Sequence, residues 1–347
     1  MPEPLCINGE WVTPSNFNLW RSGKSGFDAT LGDFLQEWYN DCPYMQLHTS
    51  GSTGSPQLIR ATKEAMRASA RMSCKVFGLT RNSSFLLSLP LQYIAGKMMV
   101  VRALVSGAEI LPTEPTSTPL AKLHQHVDFA PLVPMQAATT LRQPGGREQL
   151  ERARCILLGG GFIDTALEQE LQEVNSAVFA SYGMTETLSH IALRRVNGPE
   201  RSLAYTPLPG VHVRLSAQGT LCISATHLGI EEMETNDLAE IAADGSFRIL
   251  GRRDSVINSG GIKIQAEEVE QQLTAATGLS LLVGAVPDAL LGQCAALLWE
   301  GPLQAEDALR HAISTLPPYH RPRIVRHVDS LPRTASGKIR RGAVFAG

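Results

Sequence analysis

The sequence lacks a long apolar run, a strong excess of charge and a basic leader. No apolar stretch reaches the roughly 18 residues that a membrane-spanning helix needs, and residues 1–6 contain no basic segment followed by an apolar one. The formal net charge of -2 gives no long-range attraction to nucleic acid or to an anionic membrane. These absences favour a cytoplasmic globular protein that binds small molecules at local sites.

Cysteines at short spacing are also lacking. The six cysteines stand at positions 6, 42, 74, 155, 222 and 294, without a Cys-x-x-Cys pair. This spacing suggests neither a zinc site nor a compact disulfide framework, so reduced thiols are expected. The 347 residues, 43% of them hydrophobic, can bury a large core and would usually divide into two or more domains.

The order of apolar patterns along the chain predicts an α/β fold. In the first half, short apolar runs alternate with helical patterns, among them a helix over 63–77 that Gly78 would end. Further on, the pattern changes to alternating strands between glycine turns, and a new α+β pattern begins near Asp254. We therefore predict a large N-terminal domain over 1–253, made of stacked α/β layers plus a β-rich portion, and a small α+β domain over 254–347.

Two local elements are predicted before the α/β region. Asn8-Gly9 between apolar neighbours is typical of a tight hairpin. Apolar residues from Leu31 to Tyr39 fall on one helical stripe, with Thr30 as a possible cap. We interpret this part as a short preface to the main fold.

A segment rich in glycine and hydroxyl residues is the first candidate binding motif. Residues 49–54 place two glycines and four hydroxyl side chains in six positions, and such a loop can surround phosphate oxygens with amides and hydroxyls. An ordinary Ser/Gly surface loop is the alternative. No Lys-Ser or Lys-Thr follows the second glycine at the required spacing, which disfavours P-loop NTPase chemistry.

Further segments accompany this loop. Three glycines at 159–161 follow a buried apolar run and permit close approach to a planar ring, although a simple turn has the same composition. Asp237 and Arg252 have side chains that can hold a ribose and a phosphate, but such residues are mostly surface residues. Residues 181–187 read Ser-Tyr-Gly-Met-Thr-Glu-Thr, and Lys338 lies in a basic segment that by itself would suggest a flexible tail.

Together, the segments at 49–54 and 181–187 and the final Thr-Ala-Ser-Gly-Lys resemble the motifs of the adenylate-forming superfamily, which includes acyl-CoA synthetases. The resemblance covers nearly the whole chain. It implies a ligase that activates a carboxylic acid with ATP and Mg²⁺, transfers the acyl group to CoA, and has a mobile C-terminal domain. Residues 133–136, 159–162 and 184–190 are most similar to the o-succinylbenzoate-CoA ligases of menaquinone biosynthesis.

The resemblance implies a role for each motif residue. Tyr182 would stack on adenine, Thr185 would bind a phosphate oxygen, and Glu186 would hold the magnesium ion. Lys338 would balance the charge that builds up between the carboxylate and the α-phosphorus, so Lys338, Thr185 and Glu186 form the catalytic set. The implied nucleotide-binding residues are Thr49, Ser50, Gly51, Ser52, Thr53, Gly54, Gly159, Gly160, Gly161, Ser181, Tyr182, Gly183, Met184, Asp237 and Arg252.

The hinge and the acid pocket are implied in the same way. Asp254 would be the hinge of the C-terminal domain, and Ser259, Gly260 and Gly261 would line the route of the CoA thiol. An acid such as o-succinylbenzoate has a second carboxylate that is not activated, so its pocket needs a polar or cationic counterpart. The candidates are Lys97, Arg102, Ser189 and His190, and a structural role is at least as compatible with each of them. Tyr93 stands where an aromatic residue or a histidine usually gates the acyl pocket, so it is the fifth residue implied on the acid side.

The sequence departs from the superfamily pattern in two places. Ser55 and Gln57 stand where lysines commonly follow the second glycine, which leaves Arg60 or Lys63 to supply charge on the pyrophosphate side. Only 48 residues precede Thr49, fewer than the usual N-terminal subdomain provides. The alternative functions are an adenylating enzyme that uses another acid or a carrier-protein thiol, and a noncatalytic adenylate-binding protein.

Overall fold

A large mixed sheet organises the first two thirds of the chain. The structure is a computed structural model that describes residues 3–48, 58–333, 339, 341 and 345. Within these residues the large sheet has nine strands, with parallel inner strands and antiparallel pairs at its two ends. In spatial order they are Thr206–Pro207, Ser189–Arg195, Ala177–Met184, Ala153–Leu158, Val127–Leu132, Ser84–Leu87, Glu109–Pro112, Leu5–Ile7 and Glu10–Val12.

Helices cover both faces of this sheet. Successive residues of the inner strands alternate between two cores, with Phe85 and Phe129 in one, and Leu86 and Ala130 in the other. This alternation is that of a sheet buried on both sides, and it confirms the predicted α/β layers. The helices on the first side are Phe17–Arg21, Gly26–Tyr39, Lys63–Phe77 and Ile94–Ser106, and those on the second are Pro134–Leu141, Gly146–Leu150 and Thr165–Leu171.

Three further sheets complete the described structure. The hairpin of Tyr44–His48 and Leu58–Thr62 stands apart from the large sheet. The predicted β-rich portion is an antiparallel sheet of His212–Leu215, Thr220–Ala225, Ile230–Ile241 and Phe247–Arg252. The last sheet contains Ile262–Gln265, Val256–Ser259, Gly292–Glu300, Ser280–Asp288 and Ile324–His327, and it packs against helices Ala266–Thr277 and Glu306–Thr315 around a separate core.

Local sequence signals account for several element boundaries. The helix Lys63–Phe77 is confirmed with the predicted bounds: the Thr62 hydroxyl accepts a hydrogen bond from the amide of Ala65, and Gly78 ends it with φ 62°. The hairpin at Asn8-Gly9 is also confirmed, with positive φ at both residues. Its first strand, however, pairs with Glu109–Pro112, so the preface is an edge of the large sheet.

One predicted boundary is wrong. The second helix begins at Gly26 and not near Thr30. The carboxylate of Glu114 accepts a hydrogen bond of 2.9 Å from the amide of Phe27, which satisfies a free amide in the first turn from 87 positions away. No helix in the described ranges is long and apolar enough to cross a membrane.

Candidate active site

The motif segments meet where neighbouring parallel strands end. The strands Val127–Leu132 and Ala153–Leu158 run parallel, so residues 133–136 and 159–161 follow them at one edge of the sheet. The amide of Gly159 donates to the Leu132 carbonyl (3.1 Å). The structure thus brings together segments that the sequence separates, at the edge where α/β sheets commonly bind ligands.

Glycine is required at the first of these positions because a polar side chain approaches it closely. A Cβ atom on Gly159 would lie 2.7 Å from Oγ of Ser181. That hydroxyl donates to the carbonyl of Leu158 (3.0 Å), which fixes its position. Gly160 has φ 74°, a region that favours glycine. The glycines therefore serve the packing of the site as well as any approach of a ligand.

A tight turn presents the two candidate catalytic residues after strand Ala177–Met184. The Thr187 hydroxyl accepts from the Met184 amide (2.9 Å) and donates to the Ser189 carbonyl (2.7 Å), so it closes the turn from inside. Thr185 is half-buried on this turn, and Glu186 is exposed. An exposed carboxylate fits Mg²⁺, which takes oxygen ligands and usually retains several waters.

The turn also depends on Gly183. A Cβ atom at this position would lie 2.1 Å from the carbonyl oxygen of Ser189 and 2.6 Å from Cα of His190. Both are backbone atoms, so a side chain at 183 would push the two strands apart. Gly183 was predicted to bind the nucleotide. It is also needed to let the two strands approach each other.

Asp237 links two residues of the proposed ribose site. The Tyr182 hydroxyl donates to Oδ2 of Asp237 (2.6 Å), and Nη1 of Arg252 donates to Oδ1 (3.4 Å). The ring of Tyr182 meets Phe247 edge to face, with centroids 5.3 Å apart. The three residues come from strands of two different sheets, and the antiparallel pairing of Asp237 with Arg252 places the last two side by side.

Burial and hydrogen bonding act in opposite directions on Asp237. Burial raises the pKa of its carboxyl above the usual value, and the Tyr182 hydroxyl and the Arg252 charge only partly offset this effect. Burial and the Asp237 charge also raise the pKa of Tyr182, so the phenol remains a hydrogen-bond donor at neutral pH. An ionised Asp237 can accept hydrogen bonds from two vicinal hydroxyls of a ribose.

Arg252 is also bound to the proposed hinge residue. Its Nε and Nη2 donate to the two carboxylate oxygens of Asp254 at 2.8 and 2.6 Å. Asp254 lies in the short 3-10 turn Arg253–Ser255, between the β-rich sheet and the last sheet. The bidentate bond therefore connects the ribose side of the site to the start of the C-terminal region.

A buried polar cluster surrounds Arg102 on helix Ile94–Ser106. Its Nη2 donates to Oγ of Ser189 (2.6 Å) and lies 3.4 Å from Nδ1 of His190. The Ser73 hydroxyl lies 3.0 Å from Nε2 of His190 and donates its own proton to the Ser69 carbonyl. With the guanidinium donating to Nδ1, this arrangement fits a neutral His190 that carries its proton on Nε2. This set of Arg102, Ser189, His190 and Ser73 is called the Arg102 cluster below.

The Arg102 cluster has a positive charge without a described counterion. The side chain is 2% exposed, its Nε has no hydrogen-bond partner among the described residues, and none of their carboxylates pairs with it. Burial lowers the pKa of Arg102 to about 10. Burial and the Arg102 charge lower the pKa of His190 well below its usual value. Ser189 is the half-buried member that connects the charge to the surface.

Two other candidate cations have partners within the fold. The Lys97 ammonium lies 3.5 Å from a carboxylate oxygen of Glu37 and over the ring of Phe34. The Lys63 ammonium donates to the backbone carbonyl and to Oδ1 of Asn40, at 2.7 and 3.0 Å. These contacts favour structural roles for both. Tyr93 is half-buried at the residue before helix Ile94–Ser106.

Several predicted site residues lie outside the described residues. They are Thr49, Ser50, Gly51, Ser52, Thr53, Gly54, Ser55, Gln57 and Lys338. The strands on either side of 49–57 are described: His48 pairs with Leu58, and Arg60 is exposed on the second strand. Ser259, Gly260 and Gly261 are at the turn between two paired strands, and the amide of Gly260 donates to the Leu291 carbonyl (3.0 Å).

Comparison with known proteins identifies the class of this protein. The family described as AMP-binding enzyme matches residues 21–226. A 2-succinylbenzoate--CoA ligase of Lactococcus lactis is 27% identical over 85% of this chain and 69% of its own length. The crystal structure of an acyl-CoA synthetase (AMP-forming)/AMP-acid ligase II-like protein from Dyadobacter fermentans is 35% identical, with a TM-score of 0.65, over 96% of this chain and 98% of that one.

A second similar structure was solved with a reaction intermediate bound. The o-succinylbenzoate CoA synthetase of Bacillus subtilis, in complex with its acyl-adenylate, is 26% identical with a TM-score of 0.74, over 87% of this chain and 69% of that one. The chain belongs to the AMP-binding enzyme family. It is an adenylate-forming ligase, as its motifs predicted.

Proposed function

We propose that the protein converts o-succinylbenzoate to o-succinylbenzoyl-CoA in two steps, as a ligase of menaquinone biosynthesis. The acid and ATP first give an acyl-adenylate and pyrophosphate. The thiol of CoA then attacks the acyl carbon, and AMP leaves. Adenylation replaces a poor leaving oxygen by AMP, so the attack by sulfur becomes feasible.

The nucleotide side of the proposal is supported by the bonds of Asp237. The carboxylate accepts hydrogen bonds from Tyr182 and Arg252. Asp237 would bind the ribose hydroxyls, and Arg252 would bind the ribose and a phosphate. The exposed Glu186 would hold Mg²⁺, which would neutralise charge on the phosphates. The Bacillus subtilis synthetase named above has also been solved in complex with ATP and a magnesium ion.

The choice of a dicarboxylic acid rests on one observation, the buried charge of the Arg102 cluster. An isolated buried cation is costly unless an anion pairs with it. The described residues supply none, whereas the second carboxylate of o-succinylbenzoate would. Because Arg102 is only 2% exposed, its charge would act on that carboxylate through the hydroxyl of Ser189. The relatives that are named as 2-succinylbenzoate ligases support the same acid.

The second step would follow a rotation of residues 254–347 about Asp254. Ser259 and the two glycines after it would then face the acyl-adenylate and line the path of the thiol. Lys338 would act in the first step only, as the cation that balances charge at the α-phosphorus. These assignments come from the motifs of the superfamily.

The proposal is tested with purified protein, MgATP, CoA and a panel of acids that includes o-succinylbenzoate. We expect acid-dependent release of pyrophosphate and a thioester whose mass matches o-succinylbenzoyl-CoA. The variant Lys338→Ala should lose pyrophosphate release by about 10²–10³-fold and retain thioester formation from added acyl-adenylate. If none of the acids in the panel supports pyrophosphate release, the proposal is contradicted. If the acyl group is transferred only to a phosphopantetheine carrier protein, that carrier replaces CoA as the acceptor.

A further inference from the structure

A glutamine that no motif includes connects the nucleotide side of the site to the C-terminal region. Gln265 directly precedes helix Ala266–Thr277, which lies beyond the proposed hinge at Asp254. Its side-chain amide donates to the backbone carbonyl of Arg252 (3.0 Å), which lies before that hinge. The same nitrogen donates its other hydrogen to Oε2 of Glu267 (2.6 Å). The hydrogen bond to Arg252 therefore crosses the hinge.

The backbone is shaped to admit this side chain. Gly251 has φ 150°, and a Cβ atom there would lie 2.1 Å from Nε2 of Gln265. Any other residue at position 251 would displace the glutamine. The close approach of Gln265 to this strand therefore depends on the glycine at position 251 as well as on the glutamine.

Two carboxylates on the helix after Gln265 contact Arg341, near the C-terminus. Glu270, on the helix that Gln265 precedes, accepts hydrogen bonds from both terminal nitrogens of Arg341. Glu267 lies 3.8 Å from Nε of the same arginine. Burial would lower the pKa of Arg341, but the hydrogen bonds and charge of Glu270 outweigh it, and the nearby charge of Arg252 opposes them.

We propose that Gln265 is a positioning residue that holds the C-terminal region in the orientation used for adenylation. Arg341, three positions beyond Lys338 in the sequence, is bound by Glu270 and lies 3.8 Å from Glu267, both on helix Ala266–Thr277. Gln265 fastens the first turn of this helix to the Arg252 backbone. Rotation about Asp254 for the second step would have to break this bond. The inference rests on the proposed two-step reaction and adds a residue to it.

The test measures the two half-reactions separately. One assay follows pyrophosphate release with o-succinylbenzoate and MgATP, and the other follows thioester formation from added o-succinylbenzoyl-adenylate and CoA. In Gln265→Ala we expect pyrophosphate release to fall about three- to tenfold, the range that corresponds to one net hydrogen bond, with thioester formation unchanged or faster. Gln265→Glu keeps the size of the side chain, cannot donate, and repels Glu267, so it should show the same imbalance.

A matched control is Gln172→Ala. The amide of Gln172 also donates to two oxygens, the carbonyls of Glu168 and Val196, but both lie far before the hinge in the sequence. This variant should leave the ratio of the two half-reactions unchanged, and thermal unfolding of each protein reports any loss of stability. An unchanged ratio in both Gln265 variants, or a larger fall in thioester formation, would overturn the inference. Absence of both half-reactions in the wild type would instead reject the proposed function.

Discussion

The hydroxyl of Tyr182 lies 2.6 Å from Oδ2 of Asp237 and donates a hydrogen bond to it. The bond joins a strand of the large sheet to one of the β-rich sheet, across residues that are 55 positions apart. It stabilises the ionised form of a carboxylate that burial would otherwise tend to protonate. The hydroxyl of Tyr182 thereby helps to keep Asp237 ionised, while its ring would stack on adenine.

Removal of this hydroxyl should shift the pH dependence of the reaction. In Tyr182→Phe the pKa of Asp237 rises further, because the hydrogen bond that lowers it is lost. The acid limb of kcat/KM for ATP should therefore move to higher pH, by up to about one unit, since one unit corresponds to about 1.4 kcal/mol. Initial rates at pH 5 to 9 measure the limb. An unshifted limb, with only a uniform loss of rate, would show that Asp237 does not control ATP binding.

Substitution of Arg102 should reduce discrimination between two acids. Wild-type enzyme should prefer o-succinylbenzoate over 4-oxo-4-phenylbutanoate, which lacks the ring carboxylate. Arg102→Gln should lower kcat/KM for the first by about 10–10²-fold, because the charge that acts through the Ser189 hydroxyl is lost, a loss of about 1.5–3 kcal/mol, and change the second much less. Arg67→Gln, which removes the ion pair with Glu3, is the control for lost stability. Equal losses for both acids in Arg102→Gln would contradict the assigned role.

The buried His190 should make the stability of the protein depend on pH. Its folded pKa is lowered, whereas the unfolded value is about 6.5, so the unfolded chain binds the extra proton as pH falls. The contribution is fully present above about pH 6.5 and is lost below it, by up to about 1.4 kcal/mol per pH unit.

Urea unfolding of wild type and of His190→Asn, followed between pH 5 and 8, measures this contribution. The variant should lose the additional slope below pH 6.5. His212→Asn, at an exposed position, should retain it. Identical slopes in all three proteins would mean that His190 is protonated in the folded state.

Lys63 and Arg60 should respond differently to loss of charge. The Lys63 ammonium is bonded to Asn40, so Lys63→Met should lower the free energy of unfolding by about 1–3 kcal/mol and leave the KM for ATP unchanged. Arg60 is exposed on the strand that follows the glycine and hydroxyl segment. Arg60→Gln should raise the KM for ATP several-fold with little effect on stability. The reverse pattern would assign the phosphate charge to Lys63.

Sequence patterns predicted the parts of the fold that depend on neighbours in the chain. Helix Lys63–Phe77 has its capping hydroxyl and its terminal glycine within the sequence pattern, and both were assigned. The start of helix Gly26–Tyr39 depends on Glu114, which no local pattern reveals. The meeting of 159–161 with strand Ala177–Met184 followed from the motifs of the superfamily.

The partners of each site residue were harder to predict. Arg102 and His190 were both candidates, but Ser73, whose hydroxyl lies 3.0 Å from Nε2 of His190, is 117 positions away in the sequence. The sequence around Lys97 does not reveal its ion pair with Glu37, which lies 60 positions earlier. Gln265 carries no signal at all, because a glutamine before a helix is ordinary. Such long-range pairs depend on packing and cannot be read from spacing.

If the proposed acid is the substrate, the Arg102 cluster limits how the enzyme could be engineered for a simpler acid. Removal of the arginine alone would leave Nδ1 of the buried His190 without the guanidinium donor beside it. A redesign toward monocarboxylic acids would therefore need coordinated replacements on two helices and one strand, with apolar side chains that fill the same volume. Libraries that vary one position at a time would miss these combinations.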